Sequence, residues 1–199
     1  MIGVIDYGMG NIFSVMNALR KIKANAEVIK KPEDLKKADA IIMPGVGSFD
    51  KTIENLRPYE ENLLSALDSG TPFLGICMGL QALFERSEEG KMRGLGIIEG
   101  DVIRLPDNVM VPQMGWNELT IKKETCLLAG IESGDFFYFV HSYYGVPKDK
   151  SVIAATTEHG VQVTAAIIRD NIAAVQFHPE KSGEKGLLIL ENFIRETKC

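Results

Sequence analysis

The sequence predicts an α/β fold of three layers, α/β/α, with a mostly parallel central sheet and an antiparallel β extension. Two observations predict it. Strand-like and helix-like stretches alternate from the first residues to Ser87, and from about residue 96 to 168 the segments become short, β-rich and turn-punctuated. A third observation, a buried strand followed by an amphipathic helix at the C-terminal end, returns the chain to the first pattern.

The elements follow in order. "IGVID" (2–6) reads as a buried strand and "NIFSVMNALRKI" (11–22) as an amphipathic helix, with apolar residues near helical spacing. "AEVI" (26–29) and "ADAIIMP" (38–44) are strands, the second ended by Pro44-Gly45. Two short helices occupy about 49–69, broken near Arg57-Pro58. "TPFLGI" (71–76) is the next strand, and "MGLQALFERS" (78–87) reads as a helix starting just beyond Cys77. "GIIEGDVIRL", "VPQMGWNELTI", "DFFYFVHSY", "SVIAATT" and "VQVTAAIIRD" suggest antiparallel hairpins that extend or flank the first sheet. "IAAVQF" (172–177) is a last buried strand and "GEKGLLILENFIRET" (183–197) a helix with a leucine-isoleucine face. Without a repeat or a linker, residues 1–199 are expected to form one domain.

Composition narrows the function. Apolar residues make up 45% and charged residues 25%, enough for a real core, and the net charge of −5 argues against a nucleic-acid binder. The lysine-rich stretch "KIKANAEVIKKPEDLKK" carries Glu27, Glu33 and Asp34 among its bases and reads as a solvated face. Nothing in "MIGVID" resembles a basic leader, and no apolar run is long enough to span a bilayer, so a cytoplasmic protein with no membrane partner is expected. Cysteines at 77, 126 and 199 are widely spaced, which fits neither a disulfide framework nor a metal site.

Chemistry concentrates in three places. In "FLGICMGLQ" (73–81) Gly75 and Gly79 flank Cys77 at two residues on either side, between a strand and a helix. That is the pattern of a nucleophile elbow, in which glycines let two backbones cross while the central residue takes a strained turn. A helix N-terminus there would favour the thiolate. The same stretch also suits a buried structural cysteine, and by itself it does not choose.

A nucleophile needs a base. His159 lies in "TTEHGVQV", a hairpin turn, and His141 in "YFVHSYY" ends an aromatic strand, where it could be core-packed or pocket-lining. His178 in "VQFHPE" follows a buried strand, with Glu180 two residues on. In an extended segment those two side chains point the same way, so the carboxylate can orient the imidazole for a Cys77, His178, Glu180 triad. Ligands gather at such strand ends in parallel sheets. The glycines of "PGVG" (44–47) free backbone N–H groups for an oxyanion hole, although, taken alone, a plain tight turn accounts for them better. No G-K-[ST] follows to make a phosphate loop. "GMGNIF" (8–13) has Phe13 where a dinucleotide fingerprint needs its third glycine.

"PGVGSF" (44–49), "GICMGLQ" (75–81), "PQMGWNEL" (112–119), "FVHSYY" (139–144) and "QFHPEKS" (176–182) stand in the order and spacing of class I, triad-type glutamine amidotransferases, which the chain resembles over nearly its whole length. Within that family it is most similar to the glutaminase subunits of imidazole glycerol phosphate synthases, with "MGWN" the most selective element. The resemblance implies a flavodoxin-like core and a glutaminase without a cofactor or metal. Cys77 would attack the side-chain amide of glutamine, His178 would move the proton, and Glu180 would hold His178. The backbone of Gly45, Val46 and Gly47, with the N–H of Met78, would bind the oxyanion. Gln81 and Glu89 match positions that take the α-amino end of glutamine, and Ser142 and Tyr143 positions that take its carboxylate. Asn11, Trp116, Tyr138 and Lys181 match positions facing a partner, in the family a (β/α)8-barrel cyclase subunit forming a heterodimer. Met78 and Leu80 exchange the commoner Leu and Met, and Gln113 stands where His is often found, a change expected to bear on partner contact.

One inference needs no family. Released ammonia is useful in biosynthesis only if an acceptor receives it, and a chain filled by one α/β unit leaves the acceptor site to another polypeptide. Rival readings are a glutaminase subunit serving a different acceptor, a stand-alone cysteine hydrolase, and a catalytically silent regulatory subunit. Copurification with an identified barrel separates the first, partner-independent activity the second, and an intact triad speaks against the third.

Overall fold

The computed structural model describes residues 1–196, so the predicted last residue of the final helix and Cys199 lie outside the described residues. In chain order the elements begin with β1 (Ile2–Ile5), α1 (Ile12–Lys21), β2 (Ala26–Ile29), β3 (Ala40–Gly45), α2 (Phe49–Leu56), α3 (Glu60–Asp68), β4 (Phe73–Cys77) and α4 (Met78–Gln81). They continue with β5 (Phe84–Ser87), β6 (Ile98–Arg104), β7 (Gln113–Glu118), β8 (Thr120–Ile121), β9 (Phe136–His141) and β10 (Tyr143–Pro147). The chain then runs through β11 (Ile153–Glu158), β12 (Gln162–Arg169), β13 (Ile172–Val175) and α5 (Gly183–Glu196).

The main sheet has the order β2-β1-β3-β4-β13-β12-β11-β8. Its first five strands are mutually parallel, and β12, β11 and β8 extend it with antiparallel pairings. Strand alternation sends neighbouring residues to opposite faces. Val4, Ile42, Leu74 and Val175 join α1 and α5 in one apolar core, while Ile5, Ile41, Met43 and Phe73 join α2 and α3 in another. The near-continuous apolar runs of β1, β3 and β4 are what burial on both faces demands. Asn11 starts α1 by accepting the N–H of Ser14 at 3.2 Å through its side chain, and Arg20 and Lys21 complement its C-terminal end. α2 and α3 are separated where expected, by a 3₁₀ turn over Arg57–Tyr59.

Two smaller sheets flank the large one. β10, β6 and β5 form the first, seated against β12 through Leu105, Tyr144 and Val163; β7 and β9 form a two-stranded ribbon. Here the sequence expectation needs correcting. The stretch 78–87 is not one helix: α4 is a single turn and Phe84–Ser87 is strand β5, parallel to β6. The cause is tertiary. Leu95, Ile98 and Gly96 donate backbone N–H groups to the carbonyls of Ala82, Leu83 and Phe84, at 2.9, 2.9 and 3.2 Å, and these bonds replace the helical ones. Nor are the flanking pairs all hairpins, since β6 pairs with distant β10 and β7 with distant β9.

Candidate active site

The carboxyl ends of β3, β4 and β13 lie side by side at the centre of the parallel sheet, and each delivers one of the predicted motifs. β4 ends in Cys77, whose backbone sits at φ +54° and ψ −105°, a conformation non-glycine residues rarely adopt. Its flanking glycines make that turn possible. A Cβ on Gly75 would lie 2.6 Å from the carbonyl of Gly79, and one on Gly79 would collide with the carbonyl of Met43 in β3. The elbow is therefore a place where three backbones touch. Because α4 is one turn long, the dipole of a full helix is not available to the thiol. Only the free N–H groups of that first turn remain.

The Cys77 sulfur lies 3.9 Å from the carbonyl of Val140 and receives the Gln176 side-chain N–H at 3.6 Å. His178 follows β13 and is buried, and its Nδ1 lies 2.8 Å from Glu180 Oε1. Since a carboxylate only accepts, Nδ1 carries the proton and Nε2 is the nitrogen left for Cys77. Nε2 is buried with no hydrogen-bond partner among the described residues. Burial pushes the His178 imidazole down, but the nearby Cys77 and the hydrogen-bonded, charged Glu180 outweigh burial and hold it up at about 9. The pair meets through a 3₁₀ turn over Pro179–Lys181, not through the extended geometry that the spacing suggested.

Beside the sulfur opens a cleft of about 410 Å³. Of the four oxyanion candidates, Val46, Gly47 and Met78 line it. Gly45 is not among the lining residues; it stands in register opposite Cys77, where a Cβ would come within 2.5 Å of Tyr7 Oη and 2.7 Å of Met78 Cβ. Gly47 has φ +106°, which suits glycine alone. The Tyr7 hydroxyl donates to the Pro44 carbonyl at 2.9 Å and so fixes the root of this loop; burial, and then the charge of Cys77, raise its phenol.

Gln81, Glu89, Ser142 and Tyr143 all line the same cleft. The Gln81 amide nitrogen donates to the Tyr143 carbonyl at 2.8 Å and to Gln176 Oε1 at 3.1 Å, leaving its own oxygen buried and without a partner among the described residues. Glu89 accepts the N–H of Phe49 at 2.8 Å. Burial raises its carboxyl, the Phe49 hydrogen bond opposes, and Asp50 adds to the rise. An acceptor oxygen and a half-buried carboxylate on one wall suit an ammonium group.

His141 lines the cleft and is also buried, with Nδ1 2.9 Å from the Tyr143 carbonyl. Burial drives it down to about 4, helped by the charges of His159 and His178 against the Tyr143 bond, so it is neutral. Gln113 is its cross-strand partner and is buried, its amide without partners among the described residues, so it faces inward and not toward the surface. His159 is apart from the cleft, with Nε2 2.8 Å from the Met110 carbonyl.

The outer face of the β7–β9 ribbon is apolar and exposed. Trp116 is 56% exposed, meets Tyr138 edge-on at 6.3 Å, and Lys181 lies over the Tyr138 ring at 5.7 Å. Met114 and Phe136 add to this face. Asn11 has its side chain committed to capping α1. Among the described residues no group of His, Cys, Asp and Glu is arranged to hold a metal ion, and no helix is long and apolar enough to cross a membrane.

Residues 3–197 match the sequence profile of the family described as "Glutamine amidotransferase class-I". The chain belongs to the class-I glutamine amidotransferase family. Proteins described as "Imidazole glycerol phosphate synthase subunit HisH" resemble this amidotransferase along its whole length. The protein from Methanothermobacter thermautotrophicus is 51% identical, covering 98% of each chain. That from Caldanaerobacter subterraneus subsp. tengcongensis is 48% identical, covering 100% of each. Among solved structures, PurLQS from Thermotoga maritima superposes with a TM-score of 0.79 at 18% identity over 98% of this chain and 97% of that one, a likeness of fold. A crystal structure described as a glutamine amidotransferase gives 0.77 at 20% identity over 100% and 99%.

Sequence reasoning passed over Gln176, Tyr7 and Ser182. Gln176 had a signal: it is a primary amide in "AAVQF", an otherwise apolar buried run, and a buried amide needs partners. Tyr7 and Ser182 had none, because their bonds join segments distant in sequence or depend on the local turn.

Proposed function

We propose that residues 1–199 form one glutamine amidotransferase domain acting as the glutaminase subunit of an imidazole glycerol phosphate synthase, in the cytoplasm. It hydrolyses glutamine to glutamate and ammonia and passes the ammonia to a (β/α)8-barrel cyclase subunit in histidine biosynthesis. The observation that carries the reading is the buried His178–Glu180 pair, 2.8 Å apart, beside a thiol on a strained elbow at the edge of a cleft.

The chemistry follows from those groups. The Cys77 thiolate, paired with a protonated His178, attacks the side-chain carbonyl carbon of glutamine. The oxyanion that forms is met by backbone N–H groups of Val46, Gly47 and Met78. Gly45 serves by letting that loop pack under the elbow. As the C–N bond breaks, His178 gives its proton to the leaving nitrogen, releasing ammonia and a γ-glutamyl thioester. Nε2 then takes a proton from water, which attacks the thioester, and glutamate leaves with the thiolate restored. Glu180 keeps Nδ1 protonated and the ring turned toward sulfur throughout. Gln81 and Glu89 take the α-ammonium, and the Ser142–Tyr143 backbone the α-carboxylate.

Partner binding falls to the exposed face that holds Trp116, Tyr138 and Lys181, with Asn11 at its margin. Ammonia release from glutamine, measured with and without the cyclase, tests the whole reading. Release stimulated by the cyclase and abolished in Cys77→Ala is expected; full activity in Cys77→Ala would overturn the mechanism. Trp116 fluorescence should shift when the cyclase is titrated in, and an unchanged spectrum on demonstrated binding would move the interface elsewhere.

A further inference from the structure

The Cys77 sulfur has a polar neighbour outside the triad. Gln176 is fully buried between β13 and His178, and its amide joins two other groups. Its oxygen accepts from Gln81 at 3.1 Å, and its nitrogen donates to Cys77 Sγ at 3.6 Å. The direction of this chain is not free. It starts at the Tyr143 carbonyl, which can only accept, so the Gln81 amide must present its nitrogen there, 2.8 Å away. The same nitrogen faces Gln176, which therefore turns its oxygen to Gln81 and its N–H group to the sulfur. We infer that Gln176 is a further residue acting on the reacting sulfur, a donor aimed by Gln81 that favours the thiolate over the thiol. The inference rests on Cys77 being the nucleophile of the proposed glutaminase.

The opposing contact makes the donor matter. The Val140 carbonyl, 3.9 Å from the sulfur, can accept from a thiol but repels a thiolate. Hydrogen bonding to the charged form lowers an acid's pKa. The Gln176 N–H offsets the Val140 carbonyl without adding a charge that would compete with His178. Gln81 thereby holds two jobs: its side chain lines the cleft with an unpartnered oxygen, and its nitrogen sets the orientation of the amide that donates to the sulfur.

The test reads the sulfur directly, without glutamine or the cyclase. The rate of Cys77 alkylation by iodoacetamide is followed from about pH 5 to about pH 10, with the Cys77 peptide resolved by mass spectrometry so that the other cysteines do not contribute. In Gln176→Met, nearly isosteric but without a donor, the midpoint should rise by about one pH unit. Gln176→Glu, which turns acceptors toward the sulfur, should raise it further. Gln81→Met leaves Gln176 in place but frees its amide to rotate, and should raise the midpoint by less. A parallel assay with the cyclase should show Gln176→Met losing kcat about tenfold at nearly unchanged KM for glutamine. A cooperative urea transition shows that each variant is folded; if Gln176→Met is not, the midpoint of Gln81→Met decides. An unchanged midpoint in the folded variant overturns the inference. If the midpoint moves but the unaltered chain with its cyclase hydrolyses no glutamine, the donor stands and the glutaminase reading falls.

Discussion

The backbone N–H of His178 donates to the carbonyl of Tyr138 at 2.9 Å, which ties the imidazole of the candidate triad directly to the exposed ribbon. Ser182 closes the ring: it accepts the Tyr138 N–H at 3.0 Å and donates its hydroxyl to the His178 carbonyl at 2.7 Å. Tyr138 thus belongs to the surface by its side chain and to the catalytic segment by its backbone.

Ser182→Ala removes two bonds of that ring and leaves the Tyr138 N–H to find another partner, while the His178 carbonyl keeps the Lys181 N–H at 3.0 Å. A loss of about 1–3 kcal/mol in stability is expected from urea midpoints. Glutamine hydrolysis should fall about tenfold as His178 loses its fixed position. A variant with unchanged stability and rate would show that the ring holds nothing.

Stability against pH should pass through a maximum near neutrality. His178 is held at about 9, above its ordinary 6.5, so the folded chain binds its proton more tightly than the unfolded one. That contribution is fully present below about pH 6.5 and is lost as the pH rises through about 9. His141, pushed down to about 4, works in the opposite sense: the unfolded chain takes the proton first, and stability falls as the pH drops from about 6.5 toward 4. Each limb is on the order of a few kcal/mol. Urea midpoints at about pH 5, 6.5 and 9 measure both limbs. Cys77→Ala should bring the alkaline limb to lower pH, because Cys77 is a main cause of the His178 rise, and His141→Gln should flatten the acid limb alone.

Two glycine substitutions separate crowding from conformation. Gly79→Ala drives a methyl into the Met43 carbonyl at the centre of the sheet, and a loss of several kcal/mol or failure to fold is expected. Gly70→Ala meets nothing within 4 Å, and its φ of +84° alone is strained, so about 1 kcal/mol is expected. Similar thermal shifts for the two would refute the crossing of backbones at the elbow.

Much of this was legible in the sequence, and the exceptions have physical causes. The parallel half was readable because strands buried on both faces must be apolar and because Asn11 and Pro58 mark helix boundaries locally. Residues 78–87 misled because Leu80, Leu83 and Phe84 suit a helix, whereas the carbonyls of Ala82, Leu83 and Phe84 are claimed by Leu95, Ile98 and Gly96, distant bonds no local pattern announces. The candidate site was legible where glycines bracket a thiol and where a carboxylate stands near an imidazole. Gly45 is not among the residues lining the cleft and is packed closely against Tyr7 and Met78, a reminder that a glycine can serve close packing as readily as it serves an open N–H. Gln176 and Tyr7 act across the sheet, and only the assembled strands bring them to the sulfur and to Pro44.

The φ of +54° at Cys77 also limits what evolution can place there. Threonine is a competent nucleophile elsewhere, but a β-branched side chain is among the least tolerated at positive φ. Serine and alanine carry no branch and fit the backbone, so a lineage could exchange the chemistry of this position or silence it by single substitutions that keep the fold. The turn that presents the nucleophile thus acts as a sieve on its descendants, passing small unbranched residues and rejecting a hydroxyl that arrives with a methyl beside it.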